Sequence, residues 1–227
     1  RYGPLEARLR LMVTKTVRAI SPEGAVRRFR KGVRALTASD PGMAAIVKEA
    51  GPPPIALRDP GFPTLLRAVC AQQISAAAAR TVWARIEAKT GAPVTATAFL
   101  ELGYDGARSI GFSGRKTGYA IGLAEAEVSG ALNFDAIARM PDEEAIETLT
   151  ALRGIGRWTA EVYLIFALGR PDVWPAADIA LVAAAGRIRG LAEKPSFKEA
   201  SAIAEEWRPW RGAAAILLWH YYRTMPQ

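Results

Sequence analysis

Among its 227 residues the sequence has one cysteine and one histidine. Cys70 alone cannot close an internal disulfide or supply a Cys-ligated zinc or iron–sulfur site. Within Leu65-Leu66-Arg67-Ala68-Val69-Cys70 it reads as a small apolar packing residue. His220 alone excludes a His-based metal centre, and its place beside Trp219 predicts a structural role. No apolar run reaches the ~18 residues of a membrane span. Arg and Lys interrupt the first twenty residues, so no signal-peptide pattern is expected there. No strand-type alternation is sustained over several segments, and there is no internal repeat or low-complexity tract. These absences predict a cytoplasmic, monomeric protein with no membrane association.

What the chain does have is apolar residues, half of the total, enough for a sizeable core. The net charge of +8 is unevenly spread: residues 1–34 hold ten Lys/Arg against Glu6 and Glu23, and residues 35–227 hold equal numbers of each sign. The expected organisation is therefore a basic arm, or a helix packed on the core, over 1–34 and a helical domain over 35–227. The arm reads either as an anchor on a polyanion or as a solvated amphipathic helix.

About ten helical patterns follow, punctuated by Pro, Gly, Asp and Ser. Helices are expected over 24–38 and 41–50, broken at Asp40-Pro41-Gly42. A rigid Pro52-Pro53-Pro54 connector precedes a helix from Asp59-Pro60-Gly61 through Cys70. Ser75 to Lys89 is helical and closed by Gly91 and Pro93. Short turns fill 95–112, and Ser113 caps a helix to about Ser129. Pro141 opens a helix at its first position with Asp142, Glu143 and Glu144 at the positive end, running to Leu152. Further helices are expected over Arg157–Leu168, Asp178–Arg189, Pro195–Trp207 and from Pro209 onward. The fold class is a compact all-α globule.

The most informative stretch is Leu152-Arg153-Gly154-Ile155-Gly156-Arg157-Trp158-Thr159-Ala160. A Gly-Ile-Gly turn between two helices lets backbone N–H groups seat a phosphate while Ile155 plugs into the core. An ordinary αα turn with a glycine cap is the plainer account. Asp178, in Trp174-Pro175-Ala176-Ala177-Asp178, adds a lone acid downstream, which points to chemistry on a nucleotide. Asp178 also suits a helix N-cap, and both roles can hold at once.

This string followed by Pro-Ala-x-Asp resembles the helix–hairpin–helix superfamily of DNA glycosylases, and within it the alkylation-repair branch of 3-methyladenine DNA glycosylase II. Ala71-Gln72-Gln73-Ile74-Ser75 is similar to that family's wedge loop, and Gly111-Phe112-Ser113-Gly114-Arg115-Lys116 to its next conserved turn. Trp207-Arg208-Pro209-Trp210-Arg211 with Trp219 resembles its C-terminal helix. The resemblance covers about residues 40–225. Larger bacterial members carry an added β-sheet domain, for which too few residues precede the core here. Where the family often has two adjacent acids, this chain has Ala177 before Asp178.

The resemblance implies roles. Asp178 would be the catalytic acid, stabilising oxocarbenium charge or helping a water attack. Trp158 and Trp219 would wall the base pocket, drawing a cationic alkylated purine by cation–π contact of about 1–2 kcal/mol when desolvated. Gln73 would fill the gap left by the flipped base. Gly154, Gly156, Arg157 and Thr159 would bind DNA phosphate, with Arg115 and Lys116 as further contacts. Gly154→Ala or Gly156→Ala should then weaken binding to all duplexes alike. Trp158 stands where strand-cutting members carry a Schiff-base lysine, so the enzyme would be monofunctional and leave an abasic site. No organic cofactor is expected. A Na+ or K+ ion could sit on the backbone carbonyls of Thr150, Leu152 and Ile155. Double-stranded damaged DNA is the expected partner. The alternatives are a non-catalytic hairpin module that only grips DNA, or a glycosylase for oxidised or mismatched bases. The absence of zinc ligands closes the deaminase route.

Overall fold

The computed structural model describes residues 21–224. Among them are thirteen helices and no strand, as the lack of sustained alternation predicts. The helices start where short polar side chains can hold unpaired N–H groups. Ser21, Asp40, Ser75, Thr95, Ser113, Asn133, Asp178 and Ser196 each accept a backbone hydrogen bond at such a start. Ser196 and Glu199 form a reciprocal capping box.

The described residues divide into two units. Residues 59–163 form one. Its helices are α3 (Phe62–Ala71), α4 (Ala76–Thr90), α5 (Ala96–Glu101), α6 (Gly103–Ser109), α7 (Gly114–Val128), α8 (Phe134–Ile137) and α9 (Asp142–Thr150). Helix α7 is the hub, packed against α3, α5 and α6. Phe62, Phe99 and Phe112 make a chain of tilted rings, 5.9 and 6.5 Å between successive centroids. The buried Tyr163 hydroxyl accepts the Gly61 N–H at 2.9 Å, and burial pushes its phenol up. Helix α10 (Arg157–Phe166) contains the sequence boundary between the units.

Residues 21–58 and 164–224 form the other unit, from α1 (Pro22–Ser39), α2 (Pro41–Ala50), α11 (Ile179–Ile188), α12 (Phe197–Glu205) and α13 (Arg211–Thr224). Its hub is α13, buried from Gly212 through Leu218 and packed against α1, α2 and α11. A Cβ on Gly32 would meet Ala213 and Trp210 at 2.8 Å, so glycine permits the close approach of α1 and α13. Asp40 ties the unit together. Its carboxylate caps α2 and accepts from Arg189 and from the Trp207 indole, both at 2.8 Å. Burial alone would raise its pKa, yet these donors hold it below the ordinary carboxylate value. His220 hydrogen-bonds the Ala50 carbonyl at 2.9 Å, a structural contact.

Several boundaries differ from the expected ones. Helix α1 runs through the expected arm–domain junction at 34/35. Ala25, Phe29, Val33 and Leu36 fall on one helical stripe and are buried, so residues 22–34 take the second of the two expected forms, a helix packed on the core of its unit. Arg27, Arg30, Lys31 and Arg34 are exposed. Residues 1–20 of the expected arm lie outside the described residues. Pro141 precedes α9 as its cap residue instead of occupying its first turn. Pro209 likewise precedes α13, which starts at Arg211. Helix α8 has no counterpart among the expected helices, since one turn is too short to display a helical period.

Candidate functional site

In the unit of residues 59–163, α9 ends at Thr150 and the chain turns through Leu152 to Gly156 before α10 begins. Ile155 is buried and donates its N–H to Leu152 O at 3.1 Å, so it plugs the turn into the core. Gly156 is exposed, and a Cβ there would meet nothing within 4 Å. The first N–H groups of α10 follow it, at the positive end of the helix, an arrangement that can take an anion.

Gly154 is different. It has φ +92°, and a Cβ would fall 2.2 Å from Tyr119 Cγ. Its lack of a side chain permits the close approach of the Tyr119 ring. The structure departs from expectation at one hairpin side chain. Thr159 is only 3% exposed, and its hydroxyl accepts from Gln72 Nε2 at 3.3 Å, so it rivets a loop and is not presented to phosphate. The Arg157 guanidinium pairs with Glu143 at 2.7 Å and Glu161 at 2.9 Å, and its side chain stays more than half exposed. Burial pushes the Glu161 carboxyl up to about 7, against the downward pull of Arg157.

The loop after α3 meets this hairpin. Gln72 Nε2 donates to Gly154 O at 3.0 Å. Gln73 follows with φ +58°, a left-handed backbone uncommon for a non-glycine residue. Its side chain is exposed, as is Ile74. Gln72, Gln73, Arg115, Tyr119, Gly154 and Gly156 are among the residues lining one cleft of about 710 Å³. Lys116 also borders it, but its ammonium points inward and donates to Cys70 O at 2.9 Å and Gln72 O at 2.6 Å. Of the two basic residues offered as phosphate contacts, only Arg115 is exposed. Cys70 is buried, its thiol pushed up to about 12 by burial, and is inert as expected. Trp158, in the first turn of α10, is half-buried.

In the other unit, Asp178 is 7% exposed and caps α11, its Oδ1 accepting the Leu181 N–H at 2.9 Å. The cap fixes the carboxylate's direction. Trp219 lies on α13, which packs against α11, and stacks on Phe166 with ring centroids 5.5 Å apart. Its half-buried indole keeps part of its surface open. Trp207, by contrast, is fully buried, as core packing requires.

The carbonyls of Thr150, Leu152 and Ile155 stand at the negative end of α9 and in the turn after it. Oxygen donors of this kind suit a hard monovalent cation. Leu152 O accepts one N–H and, like any carbonyl, has a second lone pair for a cation. Among the described residues no cluster of three His, Cys, Asp or Glu side chains could hold a metal ion, and no helix is long and apolar enough to cross a membrane.

Residues 66–209 match the family model described as HhH-GPD superfamily base excision DNA repair protein. The chain is 35% identical over 161 residues to DNA-3-methyladenine glycosylase 1 of Schizosaccharomyces pombe, covering 70% of this chain and 71% of that protein. It is 32% identical over 189 residues to YfjP of Bacillus subtilis, provisionally named a DNA-3-methyladenine glycosylase; this covers 80% of the chain but 66% of YfjP. The solved structure of the fission-yeast 3-methyladenine DNA glycosylase Mag1 with abasic DNA superimposes with a TM-score of 0.76 at 30% identity, covering 86% of this chain and 96% of that one. With its all-helical architecture, its hairpin and the acid at Asp178, the chain belongs to the HhH-GPD superfamily of base excision DNA repair proteins, in its alkylation-repair branch.

Proposed function

We propose that this protein is a monofunctional DNA glycosylase that flips alkylated bases of the 3-methyladenine type out of duplex DNA and hydrolyses their N-glycosidic bond. The observation that supports the reading is the riveting of hairpin to loop by Gln72, which brings the Gly156 turn and Gln73 to one cleft. In this reading the Gly156 turn and the first N–H groups of α10 hold a backbone phosphate, and Arg115 adds charge. Gln73 enters the stack in place of the flipped base. Trp158 and Trp219 stack on the cationic purine. The bond between C1′ and the base nitrogen breaks with its electron pair going to the base, which leaves neutral. Asp178 stabilises the positive charge on the sugar and takes the proton of the water that bonds to C1′. Water and damaged DNA balance the reaction, so no organic cofactor enters it.

A Na+ or K+ ion on the carbonyls of Thr150, Leu152 and Ile155 belongs to the same proposal; bound there, it would neutralise phosphate charge at the hairpin. The exposed basic face of α1 supports a further polyanion contact. The protein is taken to work as a cytoplasmic monomer.

The test is base release from duplexes carrying single defined lesions, including alkylated purines, 1-alkylated adenine, deaminated bases and 8-oxoguanine, with borohydride trapping in parallel. The expected result is release of alkylated purines, nicks only after alkali and no covalent adduct, because Trp158 cannot form a Schiff base. Tight binding without release would make the chain a DNA-gripping module. A borohydride-trapped complex, or release confined to 8-oxoguanine, would overturn the reading in favour of the oxidised-base class.

A further inference from the structure

The ammonium of Lys116 has an unusual position for a lysine bordering an exposed cleft. It donates to Gln72 O at 2.6 Å and Cys70 O at 2.9 Å. Both acceptors are carbonyls where α3 ends, the negative pole of that helix. Burial lowers the Lys116 pKa, so its present place costs solvation that the two carbonyls offset. The next residue, Gln73, has the strained backbone, and after it comes Ile74, an exposed apolar side chain. The same short segment is held from its other side by Gln72 Nε2 on Gly154 O and Thr159 Oγ1. Thus α7, α10 and the hairpin all grip one residue, Gln72, immediately before the candidate wedge.

We propose that Lys116 is a positioning residue for base flipping: with the Gln72 side chain it clamps the backbone before Gln73, so the wedge meets DNA already in its inserting conformation. The proposal rests on the reading of Gln73 as the wedge. A wedge on a loose loop must order its backbone while it opens the duplex, and one such residue corresponds to about a tenfold change in rate. A clamped loop has met that cost during folding. Lys116 touches neither the base nor the sugar in this scheme. Its effect should vanish when the lesion has no stack to leave.

The experiment is single-turnover release of an alkylated purine that the wild-type protein excises, from a duplex and from the same strand alone. It compares Lys116→Met, Lys116→Arg, Gln73→Ala and the Lys116→Met/Gln73→Ala double variant. Lys116→Met should slow release from duplex about tenfold and leave single-strand release unchanged. Lys116→Arg, which can still donate to both carbonyls, should recover most of the loss. The double variant should be no slower than Gln73→Ala. Equal losses on duplex and single strand, wild-type rates, or full additivity in the double variant would overturn the proposal while Gln73→Ala remains defective. If Gln73→Ala itself releases the base from duplex at the wild-type rate, the wedge reading falls and the proposal falls with it. Near-UV circular dichroism reports folding. If Lys116→Met is unfolded, Gln72→Leu removes the opposite tether, and the same duplex-only loss decides the question.

Discussion

Gly154 and Gly156 look equivalent in sequence, but the structure separates them. At Gly154 a Cβ would lie 2.2 Å from Cγ, 2.3 Å from Cδ2 and 2.7 Å from Cδ1 of Tyr119, and the backbone has φ +92°. Forcing an L-residue into a left-handed conformation costs roughly 1–2 kcal/mol. Driving a methyl into a packed ring costs about 1–3 kcal/mol more. Gly154→Ala should therefore destabilise the fold by roughly 2–5 kcal/mol, a fall in Tm of roughly 4–20 °C for a chain of this size. The half-buried Tyr119 ring can yield somewhat, which favours the lower half of that range. Gly156→Ala meets nothing within 4 Å and should change stability by less than about 1 kcal/mol. Its methyl would, however, stand where a phosphate approaches, so it should weaken binding to every duplex alike. Thermal melts and fluorescence-anisotropy titrations on undamaged and lesion-bearing duplexes separate the two. Adding Tyr119→Ala to Gly154→Ala should recover the ring-clash part and leave the backbone part. A Gly154→Ala protein that melts with the wild type, or a Gly156→Ala protein with undiminished affinity, would refute this assignment of the two glycines.

Asp178→Asn should abolish base release while DNA affinity and Tm stay near wild type, because asparagine still caps α11; normal turnover would remove Asp178 from the chemistry. Asp178→Ala should lose the cap as well, at about 1 kcal/mol. For Glu161, burial pushes the folded carboxyl up to about 7 from an ordinary value of 4.5. The folded state then binds more protons than the unfolded chain between these values. The stabilising contribution is full below the lower value and is lost as pH rises through the higher. Glu161→Gln mimics the protonated form, so its Tm should gain on the wild type between about pH 5 and about pH 8; a difference independent of pH would contradict the shift.

Much of the fold was legible because local rules and global packing agree. Ser113, Asp178 and Ser196 each precede an apolar helical period and each caps the helix the sequence places there. The all-helical class followed from the missing alternation. The residues that misled are those whose partners are remote in sequence. Lys116 reads as a surface cation, and only the fold brings it to carbonyls 44 and 46 residues away. Gln72 reads as a polar loop residue, yet it spans 82 positions to the hairpin. Thr159 sits inside the glycine-turn string but is buried against Gln72, and Arg157 there pairs with Glu143 and Glu161. Asp40 announced a helix break, while its pairing with Arg189 and Trp207 carries no local signal. Spacing thus locates a turn, but which side chains remain available for DNA is settled by packing.

The division of the chain into a continuous unit and one built from two separated segments sets a timetable for the ribosome. Once residue 163 has emerged, the segment 59–163 has every helix it needs for its own core. The earlier segment, 21–58, has by then been exposed without its partner, because α13, which covers α1 and α2, is completed about sixty residues later. At ordinary elongation speeds that interval is on the order of 3–12 s. During it the apolar stripe of α1, Phe29 to Leu36, has α2 to pack against but lacks the cover of α13. Transiently exposed apolar surface of this kind is what chaperones bind, and Arg27, Arg30 and Arg34 lie exposed on the same helix.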